Sequence, residues 1–161
     1  MAKRRLKALR YPKDVVEAVQ LLTELHLRFH GYKPGGSAGG EGGAWTDSAV
    51  RRYVRDAGEC LERLHRLTRA DVTSRNRRKL ARLAAAYDDL EARIEELSAR
   101  EELDAVRPEL DGERIMAVLG IPPGPAVGRA YKFLLDLRLD EGELGPEEAE
   151  RRLRAWAADT L

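Results

Sequence analysis

Apolar residues recur at spacings of three and four along most of the chain, and no run alternates apolar with polar residues between turns. The pattern predicts an all-α fold, a multi-helix array. Asp14 and Glu17 have the spacing of a capping box beside Val15, Val19, Leu22, His26 and Phe29. A helix is expected there, ended by Gly31. Thr46, Asp47 or Ser48 can cap a second helix with Ala49, Val50, Tyr53, Val54 and Ala57 on its inner face and Gly58 as its break. Leu61, Leu64, Leu67 and Val72 carry a further apolar face. A long helix is expected from Asn76, with Leu80, Leu83, Tyr87, Leu90, Ile94 and Leu97 as a short heptad seam that Glu101 interrupts. Ended by Pro108, it would run for about thirty residues, or ~45 Å.

Three shorter helices follow. Asp111 can cap one bearing Ile115, Met116 and Leu119, closed by Gly120. The turn Ile121-Pro122-Pro123-Gly124-Pro125 leads into another, with Val127, Tyr131, Leu134, Leu135 and Leu139. Gly145-Pro146 opens the last, anchored by Leu153 and Trp156. Half of the chain's 14 glycines fall between Gly31 and Gly43. That stretch reads as a surface loop over 31–45. It is not a phosphate-binding P-loop, since no Gly-Lys-Ser/Thr follows and no strand precedes it.

Composition sets outer limits. With 161 residues, 43% apolar and 35% charged, the chain can bury a core while exposing long solvated helix faces. No apolar run approaches the ~18 residues of a membrane span, and the basic start MAKRRLKALRYPKD lacks the hydrophobic stretch of a signal peptide. The single cysteine, Cys60, allows no internal disulfide, and a cytoplasmic location is the default expectation.

Charge is segregated beneath a net value of +1. Residues 1–13 and 51–82 are strongly basic, whereas 86–113 and 136–150 are strongly acidic. Such blocks suit one surface for a polyanion and another kept away from it. Arginine far outnumbers lysine, and its planar fork matches phosphate. Arg51, Arg52 and Arg55 share one helix. Arg69, Arg75, Arg77, Arg78, Lys79 and Arg82 cluster where the long helix starts. Cations there oppose the helix dipole unless an anion is close. The competing reading is a salt-bridge network to Asp71, Asp88 and Asp89.

Other chemistry is sparse. His26 and His30 stand four apart, a spacing that suits two metal ligands, with Asp47 or Asp71 as carboxylate partners. A hydrogen-bonded interior His26 is the alternative. Cys60, between Glu59 and Glu62, lacks the cationic surroundings of a reactive thiol. The segment Leu119 to Gly128 has the look of a helical hairpin whose backbone could approach a phosphate, or of a tight helix connection.

Three segments together carry a resemblance. They are His26-Leu27-Arg28-Phe29-His30-Gly31-Tyr32, Trp45-Thr46-Asp47-Ser48-Ala49-Val50-Arg51-Arg52-Tyr53-Val54-Arg55-Asp56-Ala57-Gly58, and Leu67-Thr68-Arg69-Ala70-Asp71-Val72-Thr73-Ser74-Arg75-Asn76. They resemble the C-terminal part of bacterial CCA tRNA nucleotidyltransferases, CCA-adding enzymes of the poly(A) polymerase superfamily that carry an HD domain. Residues 109–139 look like that family's C-terminal tRNA-binding region. The resemblance implies an HD-derived helical region over 1–75 and tRNA-binding helices over 76–161. It implies tRNA as partner; the charge pattern then suggests Arg51, Arg52, Arg55, Arg69, Arg75, Arg77, Arg78 and Lys79 as the residues on its phosphates.

The family's α/β head, whose Gly-rich motif and paired carboxylates hold Mg²⁺ and CTP or ATP, has no counterpart in these residues. The upstream His-Asp pair of the HD site is missing too, and only Asp71 aligns with the motif's closing aspartate. The expectation is therefore a fragment, with no cofactor of its own and inactive alone in 3′-CCA addition. Association with a nucleotidyltransferase head is a further implication. Two alternatives remain open: an HD-type metal-dependent phosphohydrolase using His26, His30 and Asp71, and a helical interaction module with the Leu80–Leu97 seam as a dimer face.

Overall fold

The computed structural model describes residues 2–31, 45–101 and 106–160. All regular structure among them is helical, as the periodicity requires: α1 (Ala2–Ala8), α2 (Lys13–Leu25), α3 (Asp47–Ala57), α4 (Leu61–Ala70), α5 (Arg77–Glu101), α6 (Gly112–Leu119), α7 (Pro125–Glu141) and α8 (Pro146–Thr160). Short 3-10 turns cover Arg28–Gly31 and Gly58–Cys60. Most of the glycine loop expected over 31–45 lies outside the described residues, as does any continuation of α5 into 102–105.

The chain divides into two compact units, Met1–Leu97 and Ser98–Leu161. A division before the long helix, at 75/76, is not the one that packing makes. Most of α5 belongs to the first unit because its inner face is buried there. The Tyr87 ring stacks on Phe29 at 3.8 Å between centroids, and its hydroxyl donates to the Thr68 carbonyl at 2.9 Å. Leu90, Ile94 and Leu97 are buried with it. These residues are the greater part of the heptad seam, so that part is an internal surface rather than an exposed dimer face.

The start of α3 is fixed twice. Thr46 Oγ1 accepts from the Ala49 N–H, and Arg93 on α5 donates to the Trp45 carbonyl and to Asp47, each at 2.6 Å. Val50, Tyr53, Val54 and Ala57 fill the core beneath. Gly58 breaks the helix with φ +48°, a left-handed conformation that suits glycine.

Some inner positions differ from the simple periodic reading. Asp14 and Glu17 form no capping box: α2 begins at Lys13 after Pro12, so Asp14 already lies within the first turn. Val16, not Val15, is the buried valine there. On α4, Leu67 is 38% exposed because Thr68 takes the inner position four residues after Leu64. The Thr68 hydroxyl avoids a desolvation cost by donating to the Leu64 carbonyl at 2.7 Å.

In the second unit, Leu110, Ile115, Ala130, Leu134, Ala149 and Leu153 form the core of α6, α7 and α8. Asp111 caps α6 by accepting from the Arg114 N–H at 2.8 Å, and Gly120 ends it at φ +64°. Phe133 and Trp156 stack at 5.1 Å along its edge. Tyr131 lies outside because Ala130 occupies the inner position four residues before Leu134.

Candidate nucleic-acid interface

The eight basic residues assigned to an RNA surface fall into three environments. Arg51 is buried, 6% exposed, on the inner side of α3. It is therefore not on an exposed phosphate-binding surface, and Arg52 beside it is half-buried with a partner of its own. Arg69 reaches from α4 to α5. Its Nη2 donates to Asp88 at 2.7 Å and to Glu91 at 2.9 Å, its Nε donates to Glu91 at 3.2 Å, and its guanidinium lies 5.1 Å from the Tyr87 ring centre. These hydrogen bonds, Glu91 foremost, raise its pKa and lock the charge to the protein's own carboxylates.

The remaining five are different. Arg55, Arg75, Arg77, Arg78 and Lys79 are all exposed, and none is ion-paired to a described carboxylate. Four of them are consecutive but for Asn76, and they gather positive charge at the start of α5. Arg82, one turn further on, is exposed too. Asn76 caps the helix: its Oδ1 accepts from the N–H groups of Arg78 at 3.0 Å and Lys79 at 3.2 Å. Two of the helix's free donors are thus already used, so an anion here would be held by side chains more than by backbone. Of the salt-bridge network that competed with an anion site, the Arg69–Asp88 pair forms, whereas Arg75, Arg77, Arg78, Lys79 and Arg82 make no ion pair with Asp71, Asp88 or Asp89.

At the start of α5 the charge runs against the helix dipole. No acidic residue occupies its first turn, whereas its last turn carries Arg100, which suits that end. Cations at the positive end each cost about 0.3–1 kcal/mol at most, less where water screens them. A polyanion at the basic end removes that conflict.

His26 Nδ1 lies 2.7 Å from the Thr23 carbonyl and donates to it, which uses one ring nitrogen locally. The His30 side chain lies outside the described residues. Among the described residues no group of three His, Cys, Asp or Glu is placed to hold a metal ion.

One residue absent from the sequence reading is His65. It faces the groove between α4 and α5 lined by Glu62, Arg66, Arg69, Glu91, Ile94 and Glu95. Its cue was available: His65 lies four residues after Leu61 and three before Thr68, on the inner side of α4.

Comparison with known proteins gives a partial likeness. Over 50 residues the chain is 42% identical to the A-adding tRNA nucleotidyltransferase of Deinococcus radiodurans. The match covers 30% of this chain and 11% of that protein's length. No family model and no solved structure matches. Among the described residues no helix is long and apolar enough to cross a membrane.

Proposed function

We propose that this chain binds tRNA through the phosphate backbone, as the tRNA-binding C-terminal part of a CCA-type tRNA nucleotidyltransferase whose chemistry resides in a separate head. The observation that carries the proposal is the unpaired cationic start of α5, where Arg75, Arg77, Arg78 and Lys79 face solvent against the helix dipole. Arg55 is assigned to the same role. The likeness to a tRNA nucleotidyltransferase supports tRNA as the polyanion. Such contacts read the shape of an RNA helix rather than its sequence, because A-form duplexes hide base edges from side chains.

Titration of tRNA against the chain at several salt concentrations tests the reading. Each phosphate neutralised contributes ~0.9 to the negative slope of log affinity against log salt, so four contacts predict roughly −3 to −4. Arg77→Gln with Arg78→Gln should flatten that slope by about two and weaken different tRNAs alike. A salt-independent affinity, or a double variant equal to the parent, would sink the reading. Incubated alone with CTP, ATP and Mg²⁺, the chain should add no nucleotide to tRNA lacking CCA.

A further inference from the structure

The first helix presents a second cationic surface that the tRNA reading leaves unused. Lys3, Arg4, Arg5 and Lys7 lie on α1 and Arg10 follows it, with no acidic residue among them. All five are exposed, and none is ion-paired to a described carboxylate. Lys13 is the first basic residue to find a partner, Glu17, at 3.7 Å.

An exposed aromatic residue follows these charges in the chain. The chain leaves α1 through a hydrogen-bonded stop: the Arg10 N–H donates to the Lys7 carbonyl at 3.0 Å and the Tyr11 N–H to the Leu6 carbonyl at 3.1 Å. Arg10 takes the left-handed position, φ +58°, where glycine is usual. Pro12 then fixes the entry to α2. Tyr11 is therefore held from both sides, and it is 50% exposed. Leu9 beside it is 64% exposed, while Leu6 is half-buried, α1 being packed on α2.

We propose that this surface takes a single-stranded stretch of nucleic acid, an unpaired base stacking on Tyr11 and the backbone lying along Arg4, Arg5, Lys7 and Arg10. A positively charged track with an exposed aromatic is the combination that holds unpaired nucleotides. A duplex keeps its base faces stacked inside, so it offers nothing to the ring. An anionic membrane would need a broad apolar face, as interfacial helices have. Here, at α1 and the turn after it, the large apolar side chains exposed among the described residues are Leu9 and Tyr11, beside a helix of about 10 Å. The proposal rests on the RNA-binding reading for its partner class and uses none of that reading's residues.

The test uses the full chain and three probes: a fluorescein-labelled decanucleotide of adenosines, a blunt RNA duplex, and phosphatidylcholine–phosphatidylserine vesicles. The single strand should bind. Tyr11→Ala should weaken it at least about fivefold, while Tyr11→Phe keeps the affinity. Arg4→Gln with Arg5→Gln should reduce the salt slope by about 1.4, two single-strand phosphates' worth. Duplex affinity should be unchanged in Tyr11→Ala, and circular dichroism should show that the variants stay helical. No binding of the strand, or equal binding by Tyr11→Ala, would overturn the proposal. So would Tyr11-dependent binding to vesicles without binding to the strand. If tRNA binding falls in the Arg77/Arg78 variant but strand binding ignores Tyr11, only this proposal fails. If strand binding needs Tyr11 but tRNA affinity ignores salt, only the α5 reading fails.

Discussion

His65 shows how much of the chemistry is set by a single side chain's surroundings. Its Nδ1 lies 3.5 Å from Glu91 and its Nε2 is buried without a partner. The ring lies near-parallel to Tyr53, 6.0 Å between centroids. Burial pushes its pKa below the ordinary imidazole value; Glu91 pulls it back up and Arg69 opposes that. The neutral ring is therefore favoured in the folded chain, and the unfolded chain takes up a proton first as pH falls. Stability should be full above about pH 6.5 and should decline as pH drops from there toward the folded value. Thermal unfolding between about pH 7.5 and pH 5.5 should show a falling midpoint in the parent and a flatter curve in His65→Phe, which keeps a ring against Tyr53. Parallel curves would show that His65 does not carry the dependence. The same scale explains why the surroundings of five of the eight candidate residues were legible and those of Arg51, Arg52 and Arg69 were not. A sequence displays the charge of Arg51 and Arg69, but not their burial or partners. The carboxylates that hold Arg69 lie 19 and 22 residues away. Arg75, Arg77, Arg78 and Lys79 could be read because exposure at a helix start needs no distant contact.

Among the elements, α5 brings local preference and proposed function into direct opposition. Its capping residue suits a helix start, yet Arg77 and Arg78 place positive charge at the positive end of the dipole. Reversing those charges separates stability from binding. Arg77→Glu with Arg78→Glu should raise the stability of the free chain by about 0.3–1 kcal/mol per charge at low salt, with surface screening holding it near the lower figure. The same variant should lose most of its tRNA affinity. Urea unfolding and tRNA titration, run on one preparation, check both halves. A double variant that unfolds more readily would mean that these arginines stabilise the fold and are not held there at its expense. The helix itself was foreseeable from Asn76 and from the spacing of Tyr87, Leu90, Ile94 and Leu97. What that seam packs against was not, since a heptad pattern reads alike whether its cover is the same chain or another copy.

Across the whole molecule, helix content follows from periodicity, whereas the division into units follows from contacts between residues far apart in sequence. The placing of a boundary after Leu97 depends on Phe29 and Thr68 meeting Tyr87, a relation that no local pattern contains. The division makes a prediction about cooperativity. Leu153 is fully buried, and its core partners Leu110, Ile115, Ala130, Leu134 and Ala149 all lie beyond residue 98. Leu153→Ala removes apolar contact and leaves a cavity, a change that costs about 2–5 kcal/mol in a packed core. If each unit opens as its own cooperative element, that loss stays local. Backbone hydrogen exchange should accelerate in α6, α7 and α8, while Val50–Ala57 and Tyr87–Leu97 keep the protection of the parent. tRNA binding at the start of α5 should survive. Faster exchange in both regions would show that the two units unfold together.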